Sequence, residues 1–371
     1  MRPVAQAAVV SSHALIFLAP ILTSLTAAGL LFAVRFSRDS FFFISALVLT
    51  LTYVECVRFP FLHFWRRRLL FTGLPYLCWT LVYFVFTNAT PVGSFPFYSV
   101  DVHYLASGSG VVDLLTLLKN GYYQLYFVVV LFEFYVLFPV LLLWLRRARR
   151  WHVPVLGAAI LWQFFYDVAI RRHLFPFGLS GRLETRLIVS YPIYLLGGMI
   201  FALHLSDVHE WLIHHVRLVI ASTGLVALVA LSLDHVTGNS FVAQYLAPHL
   251  DVFAPFAVLY NLGATVCLYL LGVYLSSPQR GALLGTSVRS TSRASYGIYL
   301  SQMIWIPMLL RLSTRFHLSA HVPWVALAAG VAVVTFLAGY VLTLLLARTP
   351  LAPALIGQSA TPWRRRPNPL P

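Results

Sequence analysis

The sequence predicts an all-α, polytopic integral membrane protein with about ten transmembrane helices. Hydrophobic residues make up 60% of its 371 residues and charged residues only 10%. Its mean hydropathy of +0.81 lies outside the range of soluble domains. Apolar stretches of roughly 18 or more residues alternate with charged or Pro/Gly-rich segments, as expected for membrane-spanning helices. Ten spans are predicted, at residues 4–31, 41–57, 69–86, 125–145, 153–170, 187–205, 216–233, 252–275, 295–312 and 325–346.

In chain order, the spans differ in how clearly the sequence delimits them. The first lies in an uncharged run over residues 3–34, and the third follows a cluster of arginines. The fifth and ninth are less regular because they contain Asp167, Gln302 and Pro307. The longest outer loop, about residues 87–124, is rich in Pro, Gly and Ser, so we expect it to be irregular.

The distribution of basic residues predicts the orientation in the membrane. With ten spans and a cytoplasmic N-terminus, about two thirds of the lysines and arginines fall on the cytoplasmic side, as the positive-inside rule requires. Both termini are therefore expected in the cytoplasm. Residues 1–347 form the membrane domain, and residues 348–371 form a basic, Pro-rich cytoplasmic tail. This scheme places Arg35, Arg38 and Arg186 in outer loops.

Charge and cysteine content argue against several classes of function. A formal charge of +15 could suggest a nucleic-acid partner, but the arginines occur in short clusters between apolar runs. We therefore expect membrane lipid as a partner and no nucleic acid. Only three cysteines occur, each in or beside an apolar run, so neither a disulfide framework nor a metal site is indicated. His209 and His214 are five residues apart, one more than the spacing that brings two zinc ligands onto one helix face.

His13 is the most informative residue, because it lies deep within the first apolar run. A titratable ring in a membrane helix loses hydration and needs a polar partner. Arg2 precedes it by eleven residues, which places the two on one helix face roughly 16 Å apart. His13 could accept a proton in catalysis, or it could be a neutral histidine that bonds to a neighbouring helix. Its position alone leaves both readings open.

Two further groups of ionisable residues suggest chemistry. Arg66, Arg67 and Arg68 lie at a membrane edge, where they could bind lipid phosphate, satisfy the topology rule or hold a polyphosphate such as coenzyme A. Glu133 falls near the middle of the fourth span, where an ionised carboxylate must be paired or protonated. It could form an interhelical hydrogen bond, orient His13 or bind substrate hydroxyls.

Five short motifs, taken in order, resemble those of the membrane acyltransferase-3 family, in particular its branch of polysaccharide acetyl- and succinyltransferases. The arginine eleven positions before a histidine looks like the motif of the family's first helix. Three sequence positions depart from the family pattern, with Phe71 in place of arginine and Gln124 and Gln302 in place of histidine. The other four motifs are DSFFFIS at 39–45, RRRLLFTGLPYLCW at 66–79, YYQLYF at 122–127 continuing to FYVLFP at 134–139, and SYGIYL at 295–300.

The resemblance implies a membrane O-acyltransferase of the cell envelope, in the bacterial cytoplasmic membrane. It would move an acyl group, expected to be acetyl, from an acyl-CoA co-substrate to a hydroxyl of a cell-surface or lipid-linked carbohydrate. No bound cofactor is implied, and polysaccharide-synthesis proteins are candidate partners. The implied catalytic residues are His13 and Glu133, with Arg2, Arg67 and Arg68 for the donor and Asp39, Ser45, Gln124, Tyr126, Tyr299 and Gln302 for the substrate.

Two other functions are compatible with the same polar groups. A transporter or flippase for a polysaccharide or lipid-linked sugar could use them as a pathway, although no pair of Gly/Pro-broken helices indicates an inverted repeat. An inactive family member could instead assemble with a synthase. For the enzyme, we expect His13, the residues 66–68, Gln124 and Glu133 to converge on one internal cavity.

Overall fold

α-Helices account for nearly all of the regular structure in the computed structural model, which describes residues 1–19, 24–91, 98–171, 184–234, 253–276 and 282–359. The other regular structure among these residues is a two-stranded antiparallel ribbon, β1 (Ala89–Pro91) with β2 (Tyr98–Val100), and a few short 3₁₀ and π-helical turns. The helices are α1 Arg2–Leu18, α2 Leu25–Tyr53, α3 Phe61–Arg68, α4 Leu74–Thr87, α5 Val102–Ala106, α6 Gly108–Asn120, α7 Tyr126–Arg147, α8 His152–Arg171, α9 Pro192–Leu203, α10 Leu205–His214, α11 Val216–Asp234, α12 Pro255–Leu275, α13 Ala282–Arg315, α14 Leu318–His321, α15 Trp324–Leu346 and α16 Ala352–Ile356.

The all-α, polytopic membrane class is confirmed, and each of the ten predicted spans overlaps a helix. Six helical segments in the described part of the chain are long and apolar enough to cross a membrane, and α9 is a shorter apolar helix. The six segments are Phe61–Thr87, Tyr123–Arg147, Arg149–Ile170, Val216–Leu233, Pro255–Leu275 and Trp324–Leu346.

The predicted boundary between the first two spans is wrong. The first apolar run does not form one helix, because α1 ends at Leu18 and Ala19 adopts an extended conformation just before Pro20. The next helix begins after Ser24, whose side chain accepts a hydrogen bond from the Ala27 N–H at 3.4 Å. It then continues without a break to Tyr53. Arg35, Arg38 and Asp39 therefore lie inside α2 and not in an outer loop.

The predicted outer loop over residues 87–124 is more regular than expected. It contains the β-ribbon and two helices, α5 and α6. The Ser107 hydroxyl starts α6 by accepting a hydrogen bond from the Gly110 N–H at 3.1 Å. At its other end, Gly121 stops the helix in a conformation with φ of 72°. The serine and glycines of this segment thus delimit a helix, and they do not keep the whole segment irregular.

The arginine cluster precedes a change in helix geometry. Arg66, Arg67 and Arg68 form the last turn of α3, and a single π-helical turn, Leu69–Gly73, joins α3 to α4. Pro75 lies at the start of α4 and provides no N–H for the preceding turn. Because π-turns occur where the regular hydrogen-bond pattern of a helix is interrupted, the proline accounts for this one.

Helix α1 packs against α2, α13 and α15. One apolar core joins α2 to α7 and α9 and includes Phe42 and Phe138. A second core joins α1 to α4, α13 and α15 and includes Val10 and Tyr83. Gly198 lets α9 approach α2 closely, because a Cβ atom there would lie 2.4 Å from the Phe43 carbonyl oxygen.

The described part of the predicted tail packs on the membrane domain. The Trp79 indole N–H donates to the carbonyl of Leu355 at 2.7 Å, which holds α16 against α4. The Gln358 amide donates to the carbonyl of Arg293 at 2.6 Å. The remaining tail, with its basic residues 364–366, lies outside the described residues.

Candidate active site

A cavity of about 680 Å³ lies where α1, α2, α13 and the start of α7 meet. Most of its polar lining consists of tyrosine, arginine and amide side chains, and a wall of Val9, Ile16, Phe41 and Phe127 is apolar. Its volume is within the range of ligand pockets. Its other lining residues are Ser12, His13, Arg35, Ser37, Arg38, Thr116, Leu117, Asn120, Gly121, Tyr122, Tyr123, Gln124, Tyr126, Thr185, Arg186 and Tyr299.

His13 lines this cavity from α1. Its ring packs against that of Tyr123, with the two ring centroids 5.3 Å apart. Its Nδ1 atom is enclosed and has no hydrogen-bond partner among the residues that the structure describes. A histidine kept only for interhelical packing would be expected to bond to a neighbouring helix. The observed ring has a nitrogen without a hydrogen-bond partner and borders a cavity that polar side chains share with apolar ones, and this favours the functional reading over the structural one.

The segment that leads into α7 forms one wall of the cavity in a strained conformation. Gly121 and Tyr123 both have positive φ angles, of 72° and 31°. Such angles are uncommon for a residue with a bulky side chain, and residues held in them are enriched at active sites and ligand-binding sites. A side chain at position 121 would also meet the Tyr126 backbone nitrogen at 2.4 Å. The glycine therefore allows the tight turn that brings Tyr123 against His13.

Two tyrosines hold Gln124 rigidly in the same wall. The Gln124 Nε2 donates to the Tyr83 hydroxyl at 2.9 Å, and the Tyr299 hydroxyl donates to the Gln124 carbonyl. Tyr83 in turn stacks on Tyr122, with ring centroids 4.6 Å apart. The Gln124 Oε1 atom is enclosed and has no hydrogen-bond partner in the described parts of the chain. A buried amide oxygen without a hydrogen-bond donor is unusual in a folded protein.

Arg38 lines the cavity from α2, and contacts with other residues of the protein fix its guanidinium group. Its Nε lies 2.9 Å from Asp39 Oδ1, and the other oxygen of Asp39 accepts a hydrogen bond from Asn261 at 2.7 Å. The guanidinium carbon also lies 5.1 Å from the ring centroid of Tyr191 and 5.5 Å from that of Phe253. These contacts fix the side chain, as expected for an arginine between a carboxylate and aromatic rings.

Arg186 reaches the cavity from the segment before α9. Its Nη1 donates to the carbonyl of Asn120 at 2.9 Å. Two residues later, the N–H of Ile188 donates to Glu133 Oε2 at 2.6 Å. Glu133 therefore fixes the backbone that carries Arg186, and the structure has no hydrogen bond between Glu133 and His13.

A second basic site lies at the N-terminal end of α1. The Arg68 guanidinium carbon lies 5.4 Å from the ring centroids of both Phe64 and Tyr135, and its enclosed Nε has no partner within the described ranges. Arg2 is exposed and lies within electrostatic range of Arg68 and Tyr135. Arg67 is exposed beside them. This site lies roughly 16 Å from His13, at the opposite end of α1.

Two buried glutamines lie near these sites, Gln6 on α1 and Gln302 on α13. Gln6 is on the same face of α1 as Arg2 and His13, and it is completely buried. Gln302 follows Tyr299 by one turn of α13 and is also completely buried. Neither amide oxygen nor amide nitrogen of either side chain finds a hydrogen-bond partner among the described residues.

The structure thus brings together only some of the residues that the sequence predicts. His13, Gln124, Tyr126 and Tyr299 line the cavity. The sequence analysis did not predict Tyr123 or the three arginines of the lining, Arg35, Arg38 and Arg186. Arg38 could have been noticed, because it directly precedes Asp39 and the two form a charge pair in an apolar run. The predicted residues that do not line it are Arg2, Asp39, Ser45, Arg67, Arg68, Glu133 and Gln302.

A bundle of apolar helices, with a histidine and other polar side chains at a cavity between them, defines a membrane protein with a candidate functional site among its helices. The family model Acyl_transf_3, described as an acyltransferase domain, matches residues 1–344. The chain therefore belongs to the acyltransferase-3 family and is a membrane acyltransferase. No curated protein and no solved structure matches it.

Proposed function

We propose that this protein transfers an acyl group, and specifically acetyl, from acyl-CoA to a hydroxyl of a cell-surface or lipid-linked carbohydrate. The observation that carries this proposal is the position of His13, which lines a cavity of about 680 Å³ together with other polar side chains, while its Nδ1 has no hydrogen-bond partner in the described structure. A cavity of this size can hold a sugar ring beside the imidazole. Membership of an acyltransferase family supplies the reaction class.

His13 acts as the general base in this proposal. As the acceptor oxygen attacks the thioester carbonyl carbon, its proton moves to a nitrogen of the neutral imidazole. The carbon–sulfur bond then breaks, and the imidazolium returns the proton to the departing thiolate. The products are the ester and free coenzyme A, and His13 is again neutral.

The donor is proposed to approach along α1 from its N-terminal end. Arg2, Arg67 and Arg68 at that end would hold the phosphates of coenzyme A. The thioester would then reach His13 on the same helix face, with Gln6 between the two sites. The Gln6 amide is completely buried and has no hydrogen-bond partner among the described residues, so an amide of the donor's pantetheine arm that entered between the helices would provide one.

The acceptor is proposed to occupy the main cavity. Tyr123 and Tyr126 would pack on a sugar ring, and the Gln124 Oε1 would accept a hydrogen bond from a sugar hydroxyl. Asp39 acts through Arg38, which it holds in place. Gln302 and Ser45 do not line the cavity, so we propose that they support the helices that carry Tyr299 and Phe41.

The same proposal sets the orientation in the membrane. The arginine asymmetry supports cytoplasmic termini, and with that orientation the donor site would lie on the cytoplasmic side of the membrane, which we propose is a bacterial cell membrane. The cavity around His13 would then open toward the cell envelope, where the acceptor and any polysaccharide-synthesis partner are found.

A labelled-donor assay tests this function. Membranes from cells that express the protein, and from matched cells that do not, are incubated with [¹⁴C]acetyl-CoA and the cell's own glycans. We expect label in an alkali-labile ester of a glycan only when the protein is present. If no label is transferred while the protein moves a labelled polysaccharide across the membrane, the proposal fails and the transporter reading replaces it.

A further inference from the structure

Tyr123 has an unusual backbone conformation for a residue in the wall of the His13 cavity. In the described part of the chain, only Tyr123 and His317 combine a side chain with a positive φ angle. His317 precedes a short helix, and its φ of 51° lies in the usual left-handed range of about 50–70°. The φ of 31° at Tyr123 lies below that range, so its conformation is the more strained of the two.

The residues on either side of Tyr123 enforce this conformation. Tyr122 stacks on the buried ring of Tyr83, with centroids 4.6 Å apart and an angle of 18° between the planes. Gln124 donates to the hydroxyl of the same tyrosine at 2.9 Å, and its carbonyl accepts a hydrogen bond from Tyr299. Both neighbours are thus anchored to the protein, and the residue between them cannot relax without breaking these contacts.

The strained turn places an aromatic ring against α1. The centroid of the Tyr123 ring lies 5.3 Å from that of His13 and 6.0 Å from that of Phe17, one helical turn further along α1. Tyr123 is 38% exposed and lines the cavity, so this contact is made at the site and not in the apolar core. The backbone conformation therefore provides a ring contact with the proposed base.

His13 needs such a contact because its Nδ1 does not fix the ring. Histidine bases are usually oriented by a hydrogen bond from one ring nitrogen to a carboxylate or a carbonyl. The enclosed Nδ1 of His13 has no partner of this kind among the described residues. Packing against an adjacent ring is a restraint of another kind, since it limits rotation of the imidazole about its side-chain bonds.

We propose that Tyr123 is a positioning residue for His13, whose ring holds the imidazole in the orientation that removes the acceptor's proton. This inference rests on the proposed acyl transfer, and it gives Tyr123 a role beyond contact with a sugar ring. A base must lie within hydrogen-bond reach of the hydroxyl, so a small rotation of the imidazole is enough to slow proton transfer. The strained φ angle is maintained because it places the ring against His13.

Three variants separate the ring from the backbone angle. Tyr123→Phe keeps both, Tyr123→Ala removes the ring but keeps the unfavourable angle, and Tyr123→Gly removes the ring and also the strain, because glycine adopts positive φ readily. The exposed Tyr274→Ala is the control for loss of a tyrosine. Single-turnover acetyl transfer is measured with purified full-length protein, ¹⁴C-labelled acetyl-CoA and an excess of the cells' own glycan fraction.

We expect the rate to follow the ring and the stability to follow the backbone. Transfer by Tyr123→Ala and Tyr123→Gly should be about 10- to 100-fold slower, the scale expected when a catalytic group is slightly misplaced, while Tyr123→Phe should recover most of the rate. Tyr123→Gly should unfold at a higher temperature than Tyr123→Ala, and equal midpoints would contradict the strain. Binding of free CoA should be unchanged throughout.

A second comparison tests whether Tyr123 acts through His13. In a protein that already carries His13→Ala, Tyr123→Ala should slow transfer no further, because no base remains to be oriented. An equal loss in both backgrounds would show that Tyr123 acts independently of His13, and it would overturn the proposal. A wild-type rate in Tyr123→Ala would overturn it as well, with the acyltransferase function intact. A wild-type protein that transfers no acetyl would reject that function, and this role of Tyr123 with it.

Discussion

Asp39 lies 2.9 Å from the Nε of Arg38, the residue that precedes it in α2, and so anchors a guanidinium group at the wall of the His13 cavity. Asp39 is completely buried, and its second oxygen accepts a hydrogen bond from Asn261. The pair explains how a helix that carries Arg38 can pass through the interior of a membrane protein. It also makes Asp39 a positioning residue for the cavity.

Asp39→Asn should therefore lower stability and weaken acceptor binding. The change removes the charge that balances Arg38, and breaking a buried ion pair in this way typically costs about 3–5 kcal/mol. We expect a lower midpoint of thermal unfolding in detergent and a higher KM for the acceptor, with little change in the KM for the donor. The exposed Asp207→Asn serves as the control. A variant with unchanged stability would show that Arg38 does not depend on this pair.

The substitution Gln6→Leu tests whether the Gln6 side chain binds the donor or stabilises the fold. Because the Gln6 amide has no hydrogen-bond partner among the described residues, its replacement by leucine should leave stability unchanged or increase it. The KM for acyl-CoA should rise, because the donor loses an amide contact.

Gln163 provides the matched control for Gln6. It is equally buried, but its amide donates to the Ser190 carbonyl at 3.0 Å. Gln163→Leu should therefore destabilise the protein by about 1–3 kcal/mol, since it removes a buried hydrogen bond. If Gln6→Leu destabilised the protein as much as Gln163→Leu does, Gln6 would have a structural role.

Glu133→Gln tests whether the carboxylate takes part in the chemistry. Glutamine can still accept the hydrogen bond from the Ile188 N–H, so a positioning role predicts a kcat close to that of the wild type. Glu133→Leu removes the acceptor, and we expect it to raise the KM for the acceptor by displacing Arg186. Loss of a general acid or base would instead lower kcat by about 10²- to 10⁴-fold in both variants, a result that would make Glu133 catalytic.

Gly198→Ala tests the close packing of α9 on α2. The added methyl group would lie 2.4 Å from the Phe43 carbonyl oxygen, so the helices must separate, and we expect a loss of about 1–3 kcal/mol in stability. Gly224 in α11 has no described atom within 4 Å of such a methyl group, and Gly224→Ala should be neutral or slightly stabilising. Equal thermal unfolding midpoints for the two variants would contradict the packing described for α9.

The fold class could be predicted from sequence because hydropathy directly reports which segments can lie in lipid. The α1–α2 boundary could not, because Arg35, Arg38 and Asp39 resemble a loop when only neighbouring residues are considered. Such charged residues can lie within the helix because they contact residues that are distant in sequence. The Asn261 side chain, for example, donates a hydrogen bond to Asp39 although the two residues are 222 positions apart. Such pairing leaves no local pattern.

The candidate site was predictable where it rests on motifs and unpredictable where it rests on tertiary contacts. His13, Gln124 and Tyr299 belong to motifs that resemble those of the family, and all three line the cavity. Arg186 reaches the cavity on a segment held by Glu133, and Tyr123 does so through a positive φ angle. Neither the hydrogen bond nor the backbone angle can be derived from composition or periodicity.

The central claim is that His13 removes the proton from the acceptor hydroxyl, and His13→Ala tests it most directly. The measurement is the single-turnover rate of acetyl transfer from acetyl-CoA by purified protein, with the exposed His321→Ala as control. We expect His13→Ala to bind the donor normally, to unfold at a similar temperature, and to transfer acetyl about 10²- to 10⁴-fold more slowly than the wild type and the control. A His13→Ala protein that transfers acetyl at the wild-type rate would contradict the account.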